Sequence, residues 1–218
     1  MDGGFALRPT RPRDWRQTEV VVREAFWNTY QPGCCEHLLL HRLRQSSAYL
    51  PALDLVAVDR DGQIVGHIAY TRSQIAGAHG STAVATFGPI SVLPGWQRQG
   101  VGRALIRRTE ALAAGMGYRG IVITGDDAIY SRLGYQVSKV FGIAMADGRY
   151  HAALLAKELV SGGLSGTRRR FIQAPVFDQP IEPRQLQDFD AAFAPKKKAV
   201  TPTQQRYQQN LSRYLPDD

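Results

Sequence analysis

The sequence predicts an α/β fold built on a mixed, mostly antiparallel sheet with helices on both faces. The first observation is the order of apolar patterns along the chain, which reads β-α-α-β-β-β-α-β-α-β-β. The second is the segment Thr86–Leu105, TFGPISVLPGWQRQGVGRAL, in which a strand pattern passes through a glycine-rich turn into a helix pattern. Because the strand pattern Gly120–Thr124 follows that helix, a crossover joins two parallel strands. A V-shaped splay is expected between these central strands, which end at Leu93 and Gly125.

Short turns separate the strand and helix patterns that give this order. Alternating or continuous apolar residues predict strands at Phe5–Arg8, Leu53–Arg60, Gln63–Arg72, Thr82–Leu93, Gly120–Thr124, Tyr135–Val140 and Tyr150–Leu159. Helical spacing predicts helices at Glu36–Gln45, Val101–Ala114 and Ala128–Leu133, and one that begins at Arg13-Asp14. Asp61-Gly62 is a hairpin signal, and Gly77–Ser81 is expected to be a loop.

The composition changes after Val160 and divides the chain into two parts. Residues 1–160 are predicted to form one domain, and residues 161–218 a C-terminal extension that packs on it. The extension contains a Gly/Ser-rich start, the basic runs Arg168–Arg170 and Lys196–Lys198, and helix patterns at Gln185–Phe193 and Gln204–Leu215. The net charge of +8 suits a polyanionic ligand but does not identify one.

The glycine-rich turn has the properties of an anion site. Glycines let the backbone approach a ligand closely, and the first N–H groups of a helix have no intrahelical acceptor. The helix dipole favours negative charge there, and Arg98 and Arg103 add positive charge. No Lys-Ser/Thr follows Gly100 or Gly102, which excludes a Walker-type phosphate loop. A dinucleotide fingerprint needs its first glycine directly after the strand, and here Pro94 to Gln99 intervene, so it is a poor match.

The pattern that fits is [Q/R]-x-x-G-x-[G/A], present as Gln97-Arg98-Gln99-Gly100-Val101-Gly102. It resembles the acyl-CoA pyrophosphate turn of the GNAT superfamily of N-acetyltransferases. A second motif of that superfamily, Tyr-x-x-x-Gly-[Phe/Tyr], is matched by Tyr130, Gly134 and Tyr135, and the strand order agrees. The chain is also similar to one subgroup of predicted N-acetyltransferases without an established acceptor, through the segment Pro32–Ser73, an AKEL string at Ala156–Leu159 and a PVFD string at Pro175–Asp178.

The resemblance implies that acetyl-CoA is the cosubstrate and that an acetyl group passes directly from the thioester to a primary amine of a small molecule. Acetylation of a protein or peptide amine, or a non-catalytic CoA-binding or nucleic-acid-associated module, remain the alternatives. It also implies roles for three groups of residues. The amides of Gln97, Gln99, Gly100, Val101 and Gly102 would hold the pyrophosphate, the backbone N–H groups at Ile90, Ser91 and Val92 would polarise the thioester carbonyl, and Tyr130 would protonate the leaving sulfur.

The residues that contact the amine are less clearly indicated. Glu36, His37 and His67 are candidates for substrate contact or for the group that removes the amine proton, although water can relay that proton. His37 and His41 lie four residues apart, but the spacing is not H-E-x-x-H, so no metal is expected. Asp126-Asp127 are expected to cap a helix. A covalent route through Cys34 or Cys35 is less favoured than direct transfer, because no His-Asp relay is apparent.

The remaining expectations concern location and partners. The adjacent cysteines Cys34 and Cys35 form neither a disulfide framework nor a C-x-x-C metal motif, which indicates a reducing compartment. No signal core and no apolar run of about 18 residues is present, so a cytoplasmic protein that does not span a membrane is expected. The basic runs lack interleaved aromatic residues, and nucleic acid is not expected. A homodimer is left open, and the extension could close the acceptor site or make a dimer contact.

Overall fold

The computed structural model describes residues 4–78, 80–166 and 168–216. The strands are β1 (Phe5–Pro9), β2 (Leu55–Asp59), β3 (Ile64–Gly77), β4 (Gly80–Val92), β5 (Gly120–Thr124), β6 (Gln136–Val137), β7 (Ile143–Ala144), β8 (Tyr150–His151), β9 (Leu154–Glu158), β10 (Arg169–Ile172) and β11 (Tyr214–Leu215). The α-helices are α1 (Trp15–Phe26), α2 (Glu36–Gln45), α3 (Val101–Gly115), α4 (Asp127–Tyr130), α5 (Pro183–Asp190) and α6 (Pro202–Leu211). Among the described helices, none is long and apolar enough to cross a bilayer.

The main sheet has the predicted mixed, mostly antiparallel character. Its strand order is β1-β2-β3-β4-β5-β9-β6, and β10 joins the distal part of β3 and pairs with β7. The pairs β4–β5 and β7–β10 are parallel, and the other pairs in this sheet are antiparallel. The parallel central pair expected from the crossover helix is therefore confirmed.

The two central strands pair over a short length. Within the described residues their register is Ala85 opposite Ile121, although β5 continues to Thr124 and β4 to Val92. The register of β4 against β3 shifts between Ile68 and Tyr70, where β4 carries an extra residue. Such a bulge bends the strand that contains it. The part of β4 that does not pair with β5, which we call the free half of β4, is consequently available for a site, together with the turn that follows it.

Helices cover both faces of the sheet, as the alternation along β3 requires. Ile68 and Tyr70 face α3 and pack in the same cluster as Leu105. Ala69, which points to the opposite face, packs with Val22 of α1 and with leucines of α2. The apolar surface on each side of the sheet is thereby removed from water, which is the main source of stability for a layered α/β domain.

Several elements in the second half of the chain differ from the prediction, and β7 and β10 were not predicted. The strand expected at Tyr135–Val140 ends at Val137, because a 3-10 helix follows and the Ser138 hydroxyl donates to the Ile143 carbonyl at 2.7 Å. The strand expected at Tyr150–Leu159 divides into β8 and β9, with the Ala153 N–H bonded to the His151 ring at 3.0 Å. The last helix ends at Leu211 and is followed by β11, which pairs with β8.

The C-terminal residues fold back on the first helices. The Arg23 guanidinium of α1 is bonded to Asp190 of α5, with Nε 2.6 Å from Oδ1. Further along, Lys196 pairs with Glu24 at 2.7 Å, and the Thr201 hydroxyl donates to the Asn28 carbonyl at 2.7 Å. These bonds set α5 and α6 beside α1, α2 and the loop between them.

Candidate functional site

The turn between β4 and α3 presents unbonded backbone N–H groups. Gly100, immediately before the helix, has φ +89°, a left-handed conformation that glycine adopts without strain. The first intrahelical bond is donated by Ala104 N–H to the Gly100 carbonyl, at 2.9 Å. The amides of Val101, Gly102 and Arg103 therefore have no acceptor within the helix. They lie at the positive end of the helix dipole, which favours an anion there.

The two glutamines of the predicted turn stabilise it with their side chains. Gln97 Nε2 donates to the Val92 carbonyl at 3.2 Å, and Gln99 Nε2 donates to the Gly95 carbonyl at 2.7 Å. The backbone N–H of Gln97 also donates inside the turn, to the Pro94 carbonyl at 3.4 Å. In this conformation Gln97 shapes the turn, and its amide is not free for a ligand.

A groove of about 290 Å³ runs along this turn. Three arginines line it: Arg98 and Arg103, which the sequence indicated, and Arg132, which it did not. Arg132 belongs to the 3-10 helix Ser131–Leu133 after α4, a segment separate from the turn. The other lining residues are Val92, Trp96, Gln97, Gly100, Val101, Gly102, Ile129 and Leu133. The arginine inside the Tyr-x-x-x-Gly motif was the available signal for this contact.

The free half of β4 points alternate amides away from β3. Leu93 N–H donates to the Val65 carbonyl at 2.9 Å, which makes that position a hydrogen-bonded pair. Because antiparallel positions alternate between bonded and non-bonded pairs, the Ser91 amide also faces β3. The amides of Ile90 and Val92 face the other side, where β5 has ended. Of the three predicted residues, Ile90 and Val92 are thus the ones whose N–H groups are directed into the splay.

The ring of Tyr130 lies in the splay between the two central strands. Its centroid is 5.7 Å from that of Phe87 on β4, and its edge packs on Gly125 at the end of β5. Tyr135 supports the ring with an edge contact at 5.8 Å. Burial raises the pKa of Tyr130 well above the ordinary value of a phenol, with smaller contributions from Tyr30 and Asp126. The hydroxyl is therefore protonated at neutral pH.

A cavity of about 270 Å³ includes in its lining Gly125, the residue on which the Tyr130 ring packs. Its walls are the end of β5 with the start of α4, the loop after α1, and α6 of the C-terminal extension. The lining residues are Thr29, Tyr30, Thr124, Gly125, Asp126, Ile129, Ala153, Thr203, Arg206, Tyr207 and Asn210. Ile129 lines both the groove and this cavity, and its side chain is 59% exposed. The two spaces therefore share Ile129 as a wall, and the ring of Tyr130, which lines neither of them, packs on Gly125 of the cavity lining.

Glu36 lies close to this cavity without lining it. Its Oε2 accepts the Cys35 N–H at 2.9 Å. Burial raises the pKa of Glu36, while its hydrogen bonds to the backbone oppose the shift. Burial, reinforced by the Glu36 charge, raises the pKa of Tyr30 to about 12 and that of Cys35 to about 11.

The structure does not bring His37 to the groove or the cavity. The imidazole is fully buried against Phe189 and Phe193, with centroids 5.4 and 5.0 Å away. Its Nδ1 is 3.5 Å from Cys34 Sγ, and its Nε2 is 3.1 Å from Asp190 Oδ1 but not aligned as a hydrogen bond. Burial lowers the pKa of His37 to about 4, although the Asp190 carboxylate opposes this. His37 therefore belongs to the contact between α2 and α5.

His67 is also held in the interior. Its Nε2 bonds to Asp54 Oδ1 at 2.8 Å, and the Arg44 guanidinium pairs with the same carboxylate at 3.1 Å. His67 is 0% exposed, and burial lowers its pKa. The hydroxyl of Tyr49 completes the group with a 2.6 Å bond to Asp54. This buried polar network connects α2 to β3 and cannot contact a substrate in the cavity.

Cys34, His37 and Asp190 form a chain that the sequence could not reveal, because Asp190 comes from the extension. Its geometry is similar to a nucleophilic relay, but its electrostatics are not. Burial raises the pKa of the Cys34 thiol far above its usual range, and the thiol is 4% exposed. Since burial also keeps His37 neutral, the chain contains neither a thiolate nor an imidazolium.

Another cavity, lined by basic side chains, lies outside this site. It has a volume of about 420 Å³ and is lined by Lys139, Ala144, Gly148, Tyr150 and the basic run Arg168–Arg170. Among the described residues, no group of three His, Cys, Asp or Glu side chains is arranged to hold a metal ion.

Comparisons with known proteins assign the class that this geometry indicates. The model of the Acetyltransferase (GNAT) domain matches residues 52–137. The chain is 30% identical over 132 residues to the uncharacterized N-acetyltransferase YhbS of Escherichia coli strain K12. The aligned region covers 61% of this chain and 74% of the relative. It is 33% identical over 98 residues to the uncharacterized N-acetyltransferase YjhQ of the same strain, 45% of this chain and 54% of the relative.

Solved structures agree with this assignment. The GNAT family acetyltransferase of Brucella melitensis, solved with acetyl-CoA, has a TM-score of 0.63 and 28% identity over 80% of this chain and 98% of that one. E. coli YhbS, solved with CoA, has a TM-score of 0.69 and covers 80% of this chain and 92% of its own; at 23% identity it supports the fold alone. The chain belongs to the GNAT family of N-acetyltransferases.

Proposed function

We propose that this enzyme transfers an acetyl group from acetyl-CoA to the primary amine of a small molecule, with Tyr130 as the general acid. The observation that carries the proposal is the meeting of two spaces at one side chain. The arginine-lined groove and the cavity share Ile129 as a lining residue, and the ring of the next residue, Tyr130, packs on Gly125 of the cavity lining. A thioester held in the groove would be adjacent to an amine held in the cavity.

The groove suits the diphosphate of acetyl-CoA. The N–H groups of Val101, Gly102 and Arg103 converge at a helix N-terminus, the usual geometry for a phosphate. Three arginines line the same groove and supply cationic donors. The B. melitensis relative, solved with acetyl-CoA, supports the same cosubstrate in this chain.

The reaction follows from the groups on each side of the splay. The neutral amine attacks the thioester carbonyl, and the negative charge that develops on oxygen is stabilised by the N–H groups of Ile90 and Val92. The carbon–sulfur bond then breaks, and the sulfur takes the proton of the Tyr130 hydroxyl as it leaves. The amine nitrogen releases one proton through water, which reprotonates Tyr130. The products are the N-acetyl amide and the CoA thiol.

Direct transfer accounts for the site better than a covalent acetyl-cysteine. Cys34 is buried, and the pKa values of both cysteines are raised, so neither is a thiolate at neutral pH. A thiol that remains protonated is a poor nucleophile. The same free cysteines support a reducing compartment, and we place the reaction in the cytoplasm.

Calorimetry and turnover test the proposal together. Acetyl-CoA, CoA and adenosine diphosphate are titrated into the protein, and CoA thiol release is followed with a panel of amines. Gly102→Glu adds bulk and negative charge to the groove and should abolish acetyl-CoA binding. Ala111→Glu adds the same charge on the exposed side of α3 and is the matched control. Absence of acetyl-CoA binding by the wild-type protein, or equal binding by Gly102→Glu, would refute the proposed function.

A further inference from the structure

The cavity of about 270 Å³, which the proposed function assigns to the amine and which we call the acceptor cavity, has one wall contributed by the C-terminal extension. The ring of Tyr207 on α6 stacks on Tyr30, with centroids 4.1 Å apart and an interplanar angle of 25°. The Gln204 amide donates to the Asn28 carbonyl at 3.0 Å, which holds α6 against the loop after α1. Tyr30 in turn packs on Phe26 at 5.6 Å. The three rings form a continuous aromatic wall that joins α1 to α6.

The charges of the cavity compensate each other. Asp126 and Arg206 are the charged side chains among the lining residues, and they pair with each other at 3.2 Å. Asp126 also accepts the Ala128 N–H at 3.0 Å as the cap of α4. A second ammonium group on a substrate would find no uncommitted carboxylate among these lining residues, and its desolvation would not be repaid. The lining therefore disfavours polyamines and other multiply charged amines.

The remaining surface of the cavity is mostly apolar. Its lining includes Tyr30, Tyr207, Ile129 and Ala153, and three threonines add methyl groups and hydroxyls. Ligand sites of about 300 Å³ or more commonly combine an apolar or aromatic lining with a few polar groups. At about 270 Å³, this cavity is slightly smaller than that range and suits a small ligand.

We infer that the acceptor is a small monoamine with a neutral, apolar and preferably aromatic body, bound against the Tyr30–Tyr207 wall with its amino group directed to Tyr130. This inference rests on the proposed function and specifies its substrate class. Aromatic rings add contact energy beyond burial when they pack edge-to-face or offset against one another. Tyr207 is accordingly a specificity-determining residue, and the extension is part of the acceptor site.

The test compares three amines as acceptors with saturating acetyl-CoA: phenethylamine, spermidine and an N-terminally blocked lysine peptide. We expect kcat/KM for phenethylamine to exceed that for the other two by at least about tenfold. Tyr207→Ala should raise the KM for phenethylamine by about tenfold, the size of one lost aromatic contact with its burial, and leave the KM for acetyl-CoA unchanged. Tyr207→Phe keeps the ring and should restore the wild-type KM.

Tyr214→Ala is the matched control, because Tyr214 is a half-exposed tyrosine of the same extension that packs on His151 and Arg149, outside the cavity. Preferred turnover of spermidine would overturn the inference and leave the proposed function standing, whereas preferred turnover of the peptide would overturn both the inference and the small-molecule acceptor of the proposed function. Equal KM values for wild type and Tyr207→Ala would also overturn it. If acetyl-CoA binds but none of the three amines is acetylated, phenethylamine is titrated calorimetrically into the CoA-loaded protein, and absence of binding there counts against the inference.

Discussion

The ring of Tyr130 packs so closely on Gly125 that a methyl group at residue 125 would lie 2.5 Å from Tyr130 Cε2 and 2.8 Å from Cδ2. A tyrosine ring is rigid, so the whole ring would have to move to admit that methyl. The glycine at the end of β5 thus determines where the phenol lies in the splay between the central strands.

Gly125→Ala should therefore displace the proposed general acid. We expect kcat to fall about tenfold to a hundredfold, since small displacements of a catalytic group have effects of this size. The affinity for acetyl-CoA should change by less than about twofold, because the groove lies on the other side of Ile129. Steady-state kinetics and calorimetry measure the two quantities. Gly115→Ala, at a glycine with open space around it, is the control; an unaltered kcat in Gly125→Ala would show that the ring position is unimportant.

Tyr130→Phe removes the acidic proton and keeps the ring. General acid catalysis contributes about 10²–10⁴ in rate, so kcat should fall within that range while acetyl-CoA binding is retained. Because burial raises the pKa of Tyr130 above its ordinary value of 10.0, the phenol keeps its proton as the pH rises from 7 to 10. The wild-type rate should show no descending limb from this residue in that window. A limb that appears near pH 9 and vanishes in Tyr130→Phe would contradict the raised pKa.

The parts of the fold that could be predicted from the sequence are those that depend on local residue patterns. Glu36–Gln45 and Gly120–Thr124 begin and end where the sequence indicates, because each is a single uninterrupted apolar pattern. The strand β10 was missed, since Arg169 and Arg170 occupy half of it and its pairing with β3 is a long-range contact. The predicted Gly77–Ser81 loop is a tighter connection, because β3 continues to Gly77 and β4 begins at Gly80.

The same distinction applies to the candidate site: residues that are adjacent in sequence could be predicted, and those brought together by folding could not. The turn and Tyr130 are recognisable because they depend on residues that are adjacent in sequence. His37 and His67 could not be judged from sequence, since burial alone distinguishes a substrate contact from an interior histidine, and both are 0% exposed. Tyr207 was missed because only the folding of α6 onto Tyr30 brings it to the cavity.

Arg132 should contribute to cosubstrate affinity through the diphosphate. Its side chain is exposed, and an exposed charge pair is worth at most about 1 kcal/mol, so Arg132→Gln should weaken acetyl-CoA binding about two- to fivefold. The same loss should be seen with adenosine diphosphate, and it should shrink at high salt. Calorimetry at two salt concentrations measures this, with Arg184→Gln on α5 as the control. An effect on kcat instead of affinity would assign Arg132 to the reaction and not to binding.

His37 should make the stability of the fold fall as the solution is acidified. Burial lowers its pKa from 6.5 to about 4 in the folded chain, so the unfolded chain binds a proton first as the pH decreases. Stability from this group is complete above about pH 7 and is lost between pH 6.5 and about 4. At about 1.4 kcal/mol per pKa unit, the loss is roughly 3 kcal/mol. Because the pKa of Asp190 is lowered, the stability that this carboxylate contributes is lost at pH values below the range in which His37 acts.

Urea unfolding at a series of pH values measures this slope directly. His37→Gln should flatten the decline of the unfolding free energy between pH 7 and pH 4.5, whatever it does to the stability at neutral pH. A residual slope should remain, because burial lowers the pKa of His67 in the same direction. His41→Gln, at the partly exposed histidine one turn further along α2, is the matched control for the substitution itself. Identical slopes for wild type and His37→Gln would mean that His37 can be protonated in the folded protein, and hence that the α2–α5 contact opens to water.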